Sequence, residues 1–282
     1  MRASVIIPTY QRPVSLADAL ESVRIQNFPA EEYEILIVDN APDTTQQVSL
    51  LCDISKKPSM RYIHEPHNGL HNARHAGARA AKGEILVYVD DDVKCDGNFL
   101  TEILRPYSDP QVGCAGGKIL PKFEGELPEW LNMFPKWYLS ILDDNNGPKE
   151  VQYIYGCNFS IRRSLLFELG GFNPDGFGDK KLQWMRGDGE IGLLRKVHAT
   201  GKKAIYNPAA VLWHFIPKER LSIEYFQERA FKNGIEASFS KHRYSNNSLT
   251  PVKLLLRAAV FGMYCIFHNV LSFIPNQSNI KH

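Results

Sequence analysis

The amino-acid sequence predicts an α/β fold: a Rossmann-like, mostly parallel sheet flanked by helices. Along the first hundred residues, short apolar runs alternate with segments of helical period. This alternation is typical of parallel strands joined by crossover helices, in a sheet covered on both faces. Of the 282 residues, 44% are hydrophobic and 23% are charged, which is enough apolar material for one large core or two fused smaller ones.

The first two elements are a strand and an amphipathic helix. The run ASVIIP, residues 3–8, predicts the strand. Pro13 suits the first turn of a helix because it has no backbone N–H to satisfy there. The apolar residues of this helix recur three and four positions apart: Leu16, Ala19, Leu20 and Val23. They predict one face that packs against the sheet.

Three further strands follow the first helix. They are predicted at 33–39 (YEILIVD), 60–65 (MRYIHE) and 84–90 (EILVYVD). A helix with a small-residue face, residues 69–81, precedes the last of these strands, and Gly83 ends it. The N-terminal half therefore has the element order of nucleotide-binding α/β domains.

Charge and cysteine usage exclude several classes of protein. A formal net charge of +2, with the basic residues scattered along the chain, does not indicate a nucleic-acid partner. The apolar run before Pro8 is four residues long, too short for the core of a signal peptide, so we expect a cytoplasmic protein. The five cysteines are far apart with no CxxC pair, which favours reduced thiols over disulfides or a thiolate zinc site.

Acidic residues follow two of the predicted strands. Asp39 ends the second strand, and Asp90, Asp91 and Asp92 end the fourth. Aspartate often caps helices or makes turns, and this alternative stays open for Asp39. Three adjacent carboxylates repel one another and need a compensating cation. Oxygen ligands at this density suit Mn²⁺ or Mg²⁺, which take their other ligands from substrate phosphates.

Four blocks of the chain resemble the family 2 glycosyltransferases, inverting enzymes of the GT-A fold. The blocks are SVIIPTYQRPVSLADALESV, ILIVDNAPDT, HNGLHNARHAGARAAKGEILVYVDDDV and GCNFSIRRSLLFELGGFNP. They occur in order and with ordinary spacing, and the resemblance runs from about residue 3 to about residue 235. It implies a GT-A domain over 1–220, with a nucleotide-sugar half over 1–118 and an acceptor half over 119–220.

The resemblance also assigns roles in nucleotide binding. It implies that a nucleoside pocket is lined by Pro8, Thr9, Tyr10 and Asp39. It places Arg74 against the base or the phosphates, Asp90 near the ribose and Asp92 at the metal, with Asp91 between them in the nucleotide-binding set. A bound dication would stabilise the charge that develops on the diphosphate when the anomeric bond breaks.

A transfer to a hydroxyl also needs a base, for which the segment MRGDGEIGLLRKVHATG is the candidate. Gly187, Gly189 and Gly192 match GxGxxG, but no convincing strand precedes them, so the dinucleotide interpretation is weak. The resemblance makes Asp188 the catalytic base and Glu190 an acceptor-side residue. The family's usual Glu is replaced by Gly187. The structural alternative is that Asp188 is a helix N-cap.

Further assignments fall in the second half of the chain. By the resemblance, His214 completes the metal shell, although a histidine beside a tryptophan more often packs in a core. Arg220 is a weaker candidate for the diphosphate. The Pro- and Trp-rich segment that contains Trp130 predicts a loop-rich acceptor region, with sugar stacking and buried packing as alternatives for the ring. Asn158, in GCNFSIRR, is placed on the acceptor side.

The C-terminal residues 221–282 predict a helical extension. Their apolar segment at 251–275 is interrupted by polar residues and is too short between them to span a bilayer. It could lie at the inner face of the plasma membrane, or pack on the core or on a second subunit of a homo-oligomer. We therefore expect an enzyme that moves a sugar from a nucleotide-sugar to a glycan or lipid-linked acceptor. The alternatives are a non-catalytic sugar-binding relative and a membrane-embedded synthase.

Overall fold

The computed structural model describes residues 1–41, 58–174 and 187–244. Within these ranges one mixed sheet has the strand order β3-β2-β1-β4-β8-β6-β9-β5, and β7 pairs with β9. The strands are β1 Ala3–Thr9, β2 Tyr33–Asp39, β3 Ser59–His64, β4 Ile85–Val89, β5 Val93–Cys95, β6 Val112–Phe123, β7 Lys149–Glu150, β8 Asn158–Arg162 and β9 Lys203–Ile216.

Helices cover the two faces of this sheet. The α-helices are α1 Pro13–Arg24, α2 Leu70–Ala80, α3 Phe99–Leu104, α4 Arg163–Glu168, α5 Gly189–Ala199 and α6 Ile223–Tyr244. Short 3₁₀ helices occur at Arg105–Ser108, Glu129–Met133, Lys136–Leu139 and Lys218–Leu221. The predicted α/β class is confirmed. The first four strands are confirmed too, as are the helix before the second strand and the helix after the third.

The first four strands of the chain pair in parallel. Ala3 of β1 lies opposite Tyr33 of β2 and opposite Ile85 of β4. Successive side chains of β1 point to opposite faces, so Val5 belongs to one hydrophobic cluster and Ile6 to the other. Because helices cover both faces, all residues of β1 and β2 are buried, as a continuous apolar run predicts.

In the second half, β8 joins the same sheet with reversed direction, while β6 and β9 run in the direction of the first four strands. β8 runs antiparallel to β4, β6 runs antiparallel to β8, and β9 lies parallel to β6. The short β5 then pairs antiparallel with β9, which places Val93 opposite His214. This pairing brings His214 beside the acidic turn after β4, although the two are far apart in the chain.

The chain divides into two compact units, Met1–Ser240 and Lys241–His282. The predicted apolar segment at 251–275 lies outside the described residues. None of the described helices combines the length and hydrophobicity required to cross a bilayer. The predicted domain boundary at residue 220 stays a prediction; α6 begins shortly after it, at Ile223.

Candidate active site

A cavity of about 690 Å³ opens at the carboxyl ends of β1 and β4. The loop after β1, the acidic turn after β4, the start of α5 and one face of α6 all contribute to its wall. Open α/β sheets bind ligands at this edge because the loops there carry the polar groups. The cavity therefore collects residues from both halves of the chain.

The carboxylate of Asp91 lies at the cavity wall and is hydrogen-bonded to the end of β1 and to the loop that follows it. It accepts a hydrogen bond from Thr9 Oγ1 at 2.7 Å and one from Arg12 Nη1 at 3.3 Å. Burial raises the pKa of Asp91, and the hydrogen bond from Thr9 opposes this shift. Asp91 thus fixes the turn against β1, so that Asp90 and Asp92 on either side of it line the cavity.

Asp92 meets two cationic side chains and one imidazole. Its Oδ2 accepts hydrogen bonds from Arg12 Nη1 at 3.2 Å and from Arg220 Nη2 at 3.3 Å. Its Oδ1 lies 3.6 Å from His214 Nε2. The two guanidinium groups provide the compensating charge that adjacent carboxylates require.

The orientation of His214 is set by the backbone. The Nδ1 atom lies 3.2 Å from the carbonyl oxygen of Leu139, which assigns the proton to Nδ1. Arg220 Nη1 then donates to Nε2 at 3.2 Å. Burial lowers the pKa of His214, although Asp92 opposes this shift. A neutral ring with Nε2 directed towards a carboxylate is the form in which histidine binds metal.

We tested the site for the divalent cation that the resemblance implies. Among the described residues, no group of three or more His, Cys, Asp or Glu side chains is arranged to hold a metal. Asp92 and His214 supply one carboxylate oxygen and one imidazole nitrogen at the cavity wall. Mg²⁺ and Mn²⁺ commonly take one or two protein ligands and complete their shell with phosphate and water. The two residues fit such a shared site.

Arg74 is a fully buried cation that joins the two halves of the site. Its side chain is 1% exposed, its Nη1 donates to Glu190 Oε1 at 2.7 Å, and its Nη2 lies 3.8 Å from Asp90 Oδ1. Its guanidinium also lies 5.2 Å from the ring centre of Phe172. A β-carbon at Gly156 would meet Glu190 Oε1 at 1.8 Å, so only glycine fits beside this pair.

These contacts give Asp90 and Glu190 different acidities. Burial in the cavity wall raises the pKa of Asp90 to about 7, and the neighbouring carboxylates add to a shift that Arg74 opposes. Burial acts on Glu190 in the same direction, but the charge and hydrogen bond of Arg74, a backbone hydrogen bond and the charge of Arg229 together outweigh it, so the pKa of Glu190 is lowered. Glu190 therefore stays ionised as the partner of Arg74.

Asp188 occupies the N-cap position of α5 without making a side-chain capping bond. Its Oδ1 accepts from Asn173 Nδ2 at 2.7 Å, and its Oδ2 lies 3.4 Å from Ser240 Oγ. The residue is 1% exposed, between the cavity-lining residues Gly187 and Gly189. A β-carbon at Gly187 would lie 1.7 Å from the carbonyl oxygen of Pro174, so the family's usual Glu does not fit this backbone.

Of the four residues predicted for the nucleoside pocket, three line the cavity and the fourth is fully buried. Pro8, Thr9 and Tyr10 line the cavity, and the ring of Tyr10 is half exposed. Asp39 is fully buried; it accepts from the backbone N–H of Ala41 at 2.9 Å and from the Tyr62 hydroxyl at 3.3 Å. Asp39 thus holds Ala41, two residues after the end of β2, and a direct contact between Asp39 and a nucleoside stays a prediction.

Two of the three residues predicted for the acceptor, Asn158 and Trp130, make structural contacts. Asn158 is buried, and its amide donates to the carbonyl oxygens of Lys118 and Ala210, where the pairing of β6 with β9 is irregular. Trp130 packs edge-on against Phe226, with ring centres 5.2 Å apart. These contacts match the buried-packing alternative for Trp130, and both acceptor roles stay predictions.

Sequence reasoning missed two contributors to the cavity. Arg12 lies within the first block, but its proximity to the acidic turn required the pairing of β1 with β4. The inner face of α6 was also missed: Tyr225, Arg229, Lys232, Asn233 and Glu236. Their spacing of three and four residues is the helical signal that could have identified this face.

Known proteins resemble this chain in sequence. The family model described as Glycosyl transferase family 2 matches residues 4–170. A glucosyl-dolichyl phosphate glucuronosyltransferase of Haloferax volcanii is 26% identical over 244 residues, which cover 83% of this chain and 75% of the relative. The succinoglycan biosynthesis protein ExoM of Rhizobium meliloti is 23% identical over 234 residues, covering 80% and 71%.

Solved structures share the GT-A fold. S. aureus TarS 1-349 in complex with UDP superposes with a TM-score of 0.59 at 18% identity, covering 87% of this chain and 73% of that one. The mannosyltransferase PcManGT from Pyrobaculum calidifontis, in complex with GDP-Man and Mn²⁺, gives 0.57 at 18% identity, covering 96% and 83%. The family model spans more than half of the chain and its blocks build the cavity, so this protein belongs to glycosyl transferase family 2.

Proposed function

We propose that this protein transfers a sugar from a nucleotide-diphosphate sugar to a hydroxyl of a glycan or lipid-linked acceptor, with inversion at the anomeric carbon. The observation that carries the proposal is the joining of the acidic turn and the start of α5 in one cavity of about 690 Å³. Asp92 with His214 lines that cavity, and so do the residues on both sides of Asp188. This reaction requires acidic residues that can hold a cation against the diphosphate, with a base beside them.

In this proposal the nucleoside lies against Pro8, Thr9 and Tyr10, and the half-exposed Tyr10 ring offers a surface for the base. Asp90 faces the ribose. Asp92 and His214 would hold Mn²⁺ or Mg²⁺, and a cation bound there supplies positive charge to the leaving diphosphate. Arg12 and Arg220, which now pair with Asp92, are close enough to take phosphate oxygens.

Asp188 acts as the general base. The acceptor oxygen forms a bond to the anomeric carbon, its proton passes to the Asp188 carboxylate, and the bond from carbon to the diphosphate breaks with its electron pair on the phosphate oxygen. Asn173 holds Oδ1 through a short hydrogen bond. The contact of Oδ2 with Ser240 is long, at 3.4 Å, so an acceptor hydroxyl can replace it at small cost.

The test is a titration with UDP-, GDP- and dTDP-sugars, with and without Mn²⁺. Calorimetry measures the binding of each nucleotide-sugar, and the release of product measures its hydrolysis. We expect one nucleotide to bind in a metal-dependent way, and Asp92→Ala to abolish this binding. Asp18→Ala, an exposed carboxylate on α1, is the matched control. If a folded sample binds none of these nucleotides, the transferase proposal fails and the non-catalytic alternative is favoured. Binding without turnover for any acceptor also favours that alternative.

A further inference from the structure

The cavity wall that α6 forms contains hydrogen-bond donors without partners. Arg229 Nε and Asn233 Nδ2 are buried nitrogen atoms that no described group accepts from. Native structures rarely leave such donors unsatisfied, because a buried donor without a partner loses its hydrogen bonds to water and gains none in return. The two residues are four positions apart, so they lie on one face of the helix, and both line the cavity.

The charges around this face leave an uncompensated cation at Arg229. Lys232 forms an ion pair with Glu228 on the same helix. Glu190 lies close enough to Arg229 for this arginine to lower the pKa of Glu190. However, Glu190 Oε1 already accepts a hydrogen bond from Arg74 at 2.7 Å. Glu236 lines the cavity two turns further along α6, near Tyr153. No described carboxylate makes an ion pair with Arg229 within 4.0 Å.

Two tyrosines add hydroxyl groups to the same region. Tyr153 and Tyr155 both line the cavity. Burial is the main cause that raises the pKa of Tyr155, and burial together with Glu190 and Glu236 raises that of Tyr153. Both hydroxyls therefore keep their protons at neutral pH and can donate. A guanidinium, an amide and two phenols that all offer protons suit an oxygen-rich anion.

We propose that Arg229 and Asn233 form a subsite for an oxyanion, a phosphate or a carboxylate, that the acceptor carries. This inference rests on the proposed function and names the class of acceptor. The diphosphate of the nucleotide-sugar belongs at the Asp92 end of the cavity, near Arg220. Arg229 instead affects Glu190, two residues from Asp188, so an anion bound there lies on the side of the base. The oxyanion can come from a lipid phosphate or from an acidic sugar.

The experiment uses the full chain saturated with Mn²⁺ and the nucleoside diphosphate that the titration above identifies. Farnesyl phosphate, methyl glucuronide and uncharged methyl glucoside are then compared as probes by saturation-transfer NMR. We expect at least one anionic probe to bind more tightly than the glucoside. Arg229→Ala and Asn233→Ala should each weaken it about tenfold, the loss of one charge-assisted or buried hydrogen bond. Whichever probe responds identifies the source of the oxyanion.

Controls separate this subsite from general charge effects. Arg229→Lys should retain part of the affinity, because the charge remains while the fork geometry is lost. Arg105→Ala removes an arginine that is 67% exposed and lies outside the cavity, and should change nothing. Circular dichroism verifies that each variant is folded, and calorimetry should show an unchanged dissociation constant for the nucleotide.

Two results would overturn the inference while leaving the proposed function in place. One is that the anionic probes bind no better than methyl glucoside. The other is that Arg229→Ala weakens the nucleotide as much as the probe, which would assign Arg229 to the diphosphate. Failure of the wild-type protein to bind any nucleotide would instead overturn the proposed function, and the acceptor subsite with it.

Discussion

Arg74 of α2 donates a 2.7 Å hydrogen bond to Glu190 of α5, and this contact joins residues 116 positions apart in the sequence. The ion pair links the N-terminal half of the chain to the helix that begins beside Asp188. Gly156 leaves room for it, and the ring of Phe172 covers the guanidinium. The charge partner of this helix is therefore a residue of the opposite half.

We expect Arg74→Met to lower the free energy of unfolding by about 3 kcal/mol, because it leaves the Glu190 carboxylate largely buried without its cation. The double variant Arg74→Met with Glu190→Gln should recover most of this loss. Urea denaturation measures both. Arg24→Ala breaks the more exposed pair with Glu21 and should cost less than about 1 kcal/mol. Equal losses in Arg74→Met and Arg24→Ala would contradict the prediction.

Asp188→Asn should reduce turnover by about two to four orders of magnitude, the usual contribution of a general base. The amide oxygen can still accept the hydrogen bond from Asn173, so the fold and the affinity for the nucleotide should be kept. Single-turnover kinetics with a saturating nucleotide-sugar isolates the chemical step. A variant with undiminished turnover would show that the base is another residue.

Gly192→Ala should move Asp188. A β-carbon at Gly192 would lie 2.1 Å from Asn173 Nδ2 and 2.5 Å from Asp188 Oδ1, within the hydrogen bond that holds the base. The control is Gly234→Ala, also within a helix, where the β-carbon would meet nothing within 4 Å. Gly234→Ala should stabilise the protein by about 0.5–1 kcal/mol. Gly192→Ala should lose activity, and comparable activity in both variants would argue against a positioned Asp188.

His75 should make the protein less stable as the pH falls from about 6.5 towards 4, whereas Asp90, whose pKa is raised to about 7, acts in the opposite direction over this range. Burial, with the charges of His71, Arg79, Lys196 and Arg74, lowers the pKa of His75 to about 4. The unfolded chain therefore takes up this proton first, and the folded state is penalised below pH 6.5. In the folded state, His75 Nε2 accepts a 2.9 Å hydrogen bond from the backbone N–H of Phe172 and so must be unprotonated.

His75→Gln tests this assignment, because the glutamine oxygen can accept the same hydrogen bond without titrating. Thermal unfolding of both proteins between pH 4 and 8 should show a shallower decline for the variant at the acid end. At pH 8 the two should differ little. Parallel curves across the whole range would mean that other groups cause the acid sensitivity.

Local patterns predicted the regular part of the fold. The apolar run of β1 and the spacing of Leu16, Ala19, Leu20 and Val23 in α1 each encode their structure within a few residues. The antiparallel insertion of β8 beside β4 could not be predicted in this way, because strand pairing depends on contacts between segments some 70 residues apart. The proximity of His214 to the acidic turn, which depends on that insertion and on β5, came from the family resemblance alone.

The candidate site also combines features that local sequence predicts with features that depend on distant contacts. The three aspartates after β4 indicated a charged edge, since adjacent carboxylates require compensation. Composition could not show that Asp91 is the aspartate that accepts a hydrogen bond from Thr9, because this contact depends on the pairing of β1 with β4. Likewise, Asn158 lies in a family block, but its side-chain amide donates hydrogen bonds to two backbone carbonyl oxygens. Arg229 and Asn233 lie on a helix whose inner face is defined only once it packs over the cavity.

The continuity of the sheet has a mechanical consequence. The backbone of β4 is hydrogen-bonded to β1 on one side and to β8 on the other, so the two halves share one continuous sheet. A hinge between them would have to break the five residue pairs of β4 with β8. The sheet therefore holds the ends of β1, β4 and β8, where the cavity opens, in one arrangement relative to one another.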